Sequence, residues 1–141
     1  MSNTITFTLD GKEVEAESNE TIWQISNRQG TEIPHLCYRN ATDYRGDGNC
    51  RACVVEVEGE KALSASCIRQ PESGMVVHTA SNRAQKSRNM VMELLLSDQS
   101  EPEGEFKRWL SEMNIEESRM PGKDLVDSDK SHTAISVDLN K

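Results

Sequence analysis

The chain has four cysteines, and all of them fall in one 31-residue stretch as Cys37, Cys50, Cys53 and Cys67, spaced C-x12-C-x2-C-x13-C. A thiolate is a soft, anionic donor suited to zinc and to iron–sulfur chemistry, and a C-x2-C turn lets two sulfurs converge without straining the backbone. Four thiols in one window amount to the ligand set of a single tetrahedral-sulfur centre or of one dinuclear iron cluster. Gly46 and Gly48 precede the close pair in RGDGNCRAC. Such a loop reaches φ > 0 and brings backbone N–H groups near an anionic centre. Zinc sites usually come as two short pairs, whereas here only Cys50 and Cys53 are paired, so the spacing favours iron–sulfur and leaves zinc as the alternative. His35 raises the question of mixed ligation, but that needs two histidines on one iron and four sulfurs are already present. It reads as a neighbour of the ligands, and His78 and His132 stand isolated in sequence. No nucleophile with a partnered base, P-loop or dinucleotide fingerprint accompanies the cysteines, so we expect no catalytic site of the chain's own.

The stretches around the cysteines read as scaffold. Residues 4–9 alternate Ile5, Phe7 and Leu9 with threonines, Asp10-Gly11 is a two-residue hairpin turn, and Lys12–Ala16 is the return strand. A helix over 20–29 carries Ile22, Trp23 and Ile25, with Ser18 or Asn19 as its cap and Gly30 just past its end. Trp23 among these residues reads as core. Strands follow at 54–58, 62–66 and 75–79, which makes a mixed sheet of about five strands. Strand, hairpin, strand, helix is the opening of a β-grasp fold.

Ser81 opens an amphipathic helix over 82–97, with Ala84, Val91, Leu94 and Leu95 on the expected buried stripe and Met90, Met92 and Leu96 beside it. Its first turns carry Arg83, Lys86 and Arg88 and no acid, against the macrodipole. These three read as a solvated basic face, with docking to an acidic partner as the sharper alternative. Closer to the thiols, Arg45, Arg51 and Arg69 flank the cysteines, and cations there favour a more negative, reduced centre. On that reading Arg51→Ala lowers the potential.

The bulk properties bound the reading. At 141 residues the chain forms one moderate core, and a net charge of −8 argues against nucleic acid and anionic membranes as partners. No apolar run approaches the ~20 residues of a membrane span, and residues 1–10 lack a signal-peptide core. We expect a cytoplasmic protein, where reduced thiols point to metal rather than disulfides.

The runs IPHLCYRNATDYRGDGNCRACVVEVEG and LSASCIRQPESGMVVHT resemble the N-terminal [2Fe–2S] ferredoxin domain of the large iron–sulfur subunit of NADH:quinone oxidoreductase. They resemble more closely the same domain of the α subunit of NAD-dependent molybdenum formate dehydrogenase. The likeness extends from Ile5 to Asp98, with the order and spacing of all four cysteines in agreement. It implies that Cys37, Cys50, Cys53 and Cys67 bind a [2Fe–2S] cluster in an α+β, β-grasp ferredoxin-like domain with a C-terminal helical and extended tail. It also implies one-electron transfer within an oxidoreductase complex, beside molybdenum or NAD-linked flavin subunits. A structural zinc domain and an assembly subunit without redox turnover are the alternatives.

The domain boundary falls at 1–98 for the ferredoxin-type domain and 99–141 for an acidic linker, short helix and tail. In the respiratory family a motif of one histidine and three cysteines follows the domain, but SDQSEPEGEFKRWLSEM contains neither residue type. That departure favours the formate dehydrogenase type, in which EFKRWLSEMNIEESRM and SHTAISVDLN resemble the connector before a second ferredoxin domain. On this reading the chain is an N-terminal portion or a separately encoded subunit. Phe106, Trp109, Leu110 and Met113 share one side of a short helix, which either packs in cis or docks on a second redox protein; the connector resemblance favours docking for part of it. Residues 134–139 alternate as a strand would.

Overall fold

In the computed structural model, which describes residues 4–138, two compact units are distinct, one up to Arg88 and one from Asn89 onward. The first begins with β1 (Thr4–Leu9) and β2 (Lys12–Glu17), paired antiparallel in the register Phe7↔Val14. Asp10 and Gly11 both turn at positive φ, +49° and +80°, the geometry of a two-residue hairpin that matches strand twist. Helix α1 (Ile22–Arg28) comes next, then the cysteine-bearing loop, β3 (Val54–Val57), β4 (Ser64–Ala65) and β5 (Val76–His78).

The five strands form one mixed sheet in the order β2-β1-β5-β3-β4, with β1 and β5 parallel and the other neighbours antiparallel. Phe7, Leu9, Val14, Ala16, Val55, Val57 and Val77 alternate to one face and bury there with Ile22, Trp23 and Ile25 of α1. Each buried valine, leucine, isoleucine or phenylalanine here contributes about 1.5–3 kcal/mol. This is the β-grasp arrangement, α+β in class, and Cys53 and Cys67 belong to its core.

Several boundaries move for local reasons. α1 is capped by Thr21, not by Ser18 or Asn19, because Thr21 and Gln24 form a reciprocal capping box. Residues 17–20 instead close a turn in which Glu17 N–H donates to Glu20 Oε2 at 2.9 Å. The strand expected at 62–66 shrinks to Ser64–Ala65 because the chain turns at once, with Arg69 N–H donating to Ala65 O at 3.0 Å. That turn swings Cys67 back toward Cys53.

Helix α2 (Asn82–Ser97) has the expected span and a different inward face. Ala84, Arg88 and Met92 are buried, while Leu94 and Met90 are 57% and 44% exposed. Residues four apart share one helix face, so Arg88 lies on the same face as the buried Ala84. The basic face is therefore not wholly solvated.

In the second unit, α3 (Gly104–Glu112) buries Phe106, Trp109 and Leu110, and Trp109 is only 3% exposed. The Arg108 guanidinium lies 4.3 Å from the Trp109 ring centroid. Phe106, Trp109 and Leu110 therefore take the cis-packing alternative rather than docking, and Met113 at the end of the stripe is half-buried. The tail closes with β6 (Asp129–His132) against β7 (Ile135–Val137). Leu139 of the expected strand lies outside the described residues. No helix among the described residues is long and apolar enough to cross a membrane.

Candidate metal centre

The loop between α1 and β3 delivers Cys37, Cys50 and Cys53, and the turn after β4 delivers Cys67. Cys53 and Cys67 are buried, and Cys37 and Cys50 are half-buried. Pro34 leads the chain out to Cys37. Behind it Trp23 anchors the approach: its Nε1 donates to Ile33 O at 2.8 Å, and the rings of His35 and Tyr38 meet it edge-on at 4.7 and 5.0 Å. His35 is engaged here and with Ile33 O at 3.1 Å, as a neighbour of the ligand loop. His78 lies 2.8 Å from Glu58, away from the cysteines in sequence and on the sheet.

The thiols gather as two pairs. Cys37 interacts with Cys50 and Cys53 with Cys67, and the charges of Cys37, Cys50 and Cys53 all act on Cys67. Backbone N–H groups of Cys37 and Ala52 each point at Cys50 Sγ from 3.5 Å. Burial pushes the Cys50 thiol up, and these N–H groups partly offset it. Cys53 is drawn down to about 6, chiefly by the Cys67 thiol that donates to it, while the same contact pushes Cys67 up. The contact thus favours the thiolate on Cys53 over that on Cys67, and the thiolate is the form that binds metal.

The loop also leaves space that only glycine can leave. A Cβ on Gly46 would stand 2.9 Å from the Cys67 carbonyl oxygen, and one on Gly48, at φ +68°, would stand 2.8 Å from Ile68 Cδ1. Ser66 Oγ donates to Cys53 O at 2.7 Å and ties the two cysteine-bearing segments together. Among the described residues, no three Cys, His, Asp or Glu side chains close on one point that would hold a single ion. Two thiol pairs flanked by N–H donors and a glycine cradle fit a dinuclear cluster, which takes two sulfurs on each iron.

Of the three flanking arginines, Arg51 is exposed and donates to Leu63 O at 2.9 Å, and Arg45 is exposed. Arg69 is neutralised by Glu60 at 2.8 Å and Glu72 at 3.1 Å. Arg88, expected from the sequence on a solvated basic face, is instead buried with its Nη1 directed at Val54 O. Near Cys67, an open groove of about 520 Å³ is lined by Gln24, Tyr38, Tyr44, Arg45 and Ile68.

A β-grasp sheet carrying four gathered thiols defines a ferredoxin-type iron–sulfur domain. Residues 2–82, more than half of the chain, match the family described as 2Fe-2S iron-sulfur cluster binding domain, and the chain belongs to it. Its cofactor is a [2Fe–2S] cluster. Among relatives, it is 41% identical over 92 residues to a subunit of the NADH-quinone oxidoreductase of Rickettsia bellii (strain RML369-C), covering 65% of this chain and 13% of that protein. It is 40% identical over 97 residues to the HndD subunit of the NADP-reducing hydrogenase of Solidesulfovibrio fructosivorans, covering 67% of this chain and 17% of that one. The chain thus matches under a fifth of the length of either relative. The fold matches a chain in the crystal structure of NAD+-reducing [NiFe]-hydrogenase in the H2-reduced state, with a TM-score of 0.75, 24% identity, and coverage of 92% of this chain and 57% of that one.

Proposed function

We propose that this domain passes single electrons through a [2Fe–2S] cluster held by Cys37, Cys50, Cys53 and Cys67, as an electron-transfer part of an oxidoreductase. The gathering of all four thiols in a chain of a cluster-binding family carries this reading. When bound, the cluster supplies reversible one-electron chemistry. The chain's residues do the rest. Cys37 and Cys50 would hold one iron, and Cys53 and Cys67 the other. The N–H groups of Cys37 and Ala52 stabilise charge on the Cys50 sulfur. Burial of Cys53 limits water at that sulfur, while the open groove lined in part by Cys67 lets an exchange partner approach. Membership of a family that binds a 2Fe-2S cluster favours this reading over structural zinc.

The parent oxidoreductase, on this proposal, is of the NAD-dependent molybdenum formate dehydrogenase type and cytoplasmic, with molybdenum or flavin subunits as partners. Support comes from residues 97–113, which contain neither the histidine nor the cysteines of the respiratory pattern. Anaerobically purified protein is expected to hold two irons and two acid-labile sulfides per chain, and Cys67→Ala to lose most of both together with the EPR signal of the reduced state. A full-intensity, unchanged spectrum in Cys67→Ala overturns the ligand assignment. Co-purification of the tagged chain with formate-oxidising activity tests the parent complex; hydrogen- or NADH:quinone-linked activity in its place overturns the formate assignment.

A further inference from the structure

A guanidinium is costly to bury unless a counter-charge and hydrogen bonds meet it. Arg88 is 6% exposed, and the hydrogen bond it makes, Nη1 to Val54 O, is 3.4 Å long. Among the described residues, no carboxylate forms an ion pair with it. The two negative groups that act on it are Cys53 and, second, Asp10. Asp10 is already engaged: its carboxylate accepts from Thr79 N–H at 2.7 Å and from Thr79 Oγ1 at 2.6 Å. Burial lowers the guanidinium's pKa from its ordinary value and those two charges oppose the shift, yet an arginine stays protonated. The cation is thus buried, weakly hydrogen-bonded, and held at the carbonyl of Val54, the residue after Cys53.

We infer that Arg88 is the internal counter-ion of the metal centre, a positioned positive charge at the Cys53 end that raises the centre's reduction potential. The inference rests on the four-cysteine reading above. A [2Fe–2S] centre with four thiolates is anionic in both oxidation states and gains one more negative charge on reduction, so a fixed nearby cation favours the reduced state. Exposed Arg45 and Arg51 are screened by water, and Arg69 is cancelled by its two glutamates. Arg88 has neither limitation. The same logic predicts a cost without the cluster, where its main counter-charge is diminished.

The test compares the full chain, loaded anaerobically, with Arg88→Met, Arg88→Gln and Arg88→Lys, using Arg83→Met as a control. Arg83 lies on the same helix, exposed and bridged to Glu56 at 3.0 Å. At a fixed ambient potential, the reduced-to-oxidised ratio read by EPR or visible absorption is expected to fall about tenfold in Arg88→Met and Arg88→Gln, equivalent to ~59 mV for one electron. Arg88→Lys should recover most of the ratio, and Arg83→Met should leave it unchanged. The metal-free Arg88→Met protein should melt no lower than the metal-free wild type, whereas a purely structural arginine would lower both forms. An unchanged ratio in the Met and Gln variants at full iron content overturns the role of Arg88 alone. A wild-type chain that takes up no iron and sulfide overturns the four-cysteine reading, and this role with it.

Discussion

Gly46 and Gly48 look alike in sequence but are constrained differently. At Gly46 a new Cβ meets a backbone oxygen, Cys67 O at 2.9 Å, which cannot yield without moving the cysteine itself. At Gly48 it meets the flexible end of Ile68, a half-exposed side chain that can rotate away, and what remains is the positive φ of +68°. Gly46→Ala is therefore expected to reduce bound iron per chain severalfold. Gly48→Ala should mainly cost stability, about 1–2 kcal/mol for a left-handed alanine, while retaining most of the iron. Iron analysis beside chemical denaturation of each variant checks the split. The clustering of the cysteines was legible because it lies in residue type and spacing. Arg88 was not, because helical periodicity marks apolar residues, and a lone cation on an amphipathic helix reads as solvated until its neighbours at four residues' distance are seen to be buried.

At the scale of elements, Asp10 joins two parts of the first unit. It occupies the β1–β2 turn and accepts twice from Thr79, just past β5 and before α2. Removing a charge-assisted acceptor of this kind costs about 1.5–3 kcal/mol, so Asp10→Ala should lower the denaturation midpoint without changing the slope. The Asp-Gly turn was readable from its dipeptide. Its second use was not, because Thr79 is distant in sequence. The cap of α1 was misplaced for a related reason: Ser18, Asn19 and Thr21 all qualify, and the reciprocal bond from Gln24 decides among them. In the second unit, Arg119 Nε donates to Glu93 Oε2 at 2.7 Å and holds that carboxyl below the ordinary carboxylate value. A depressed folded-state pKa means stability present above the unfolded value and lost as pH falls through the folded one. Hydrogen exchange around Arg119 should therefore accelerate as pH drops through the acidic carboxylate range, after correction for intrinsic rates. Glu93→Gln should remove that dependence; an unaltered profile would show the pair to be inconsequential.

For the molecule as a whole, a net charge of −8 sets how it meets small redox reagents. Encounter with a like-charged reagent is slowed and with an opposite-charged one hastened, and salt weakens both effects. Reduction by anionic dithionite should therefore speed up with ionic strength, while exchange with a cationic viologen slows. Stopped-flow rates at two salt concentrations decide it, and equal slopes would mean that local charge near the groove outweighs the total. Trp109, buried in the second unit, should act on stability: Trp109→Ala is expected to cost about 3–5 kcal/mol, seen as a lower melting temperature of the chain. The parallel pairing of β1 with β5 has a consequence for biogenesis. β1 is the first strand made and Val77, its partner through Leu9, is made after Cys67. All four thiols therefore emerge from the ribosome before the central strand of the sheet does, so the nascent chain presents its sulfurs in an unclosed scaffold. Closure of the sheet and delivery of iron and sulfide are then competing events in time, and a cell that slows the delivery accumulates a folded, metal-free domain with Arg88 already sealed inside.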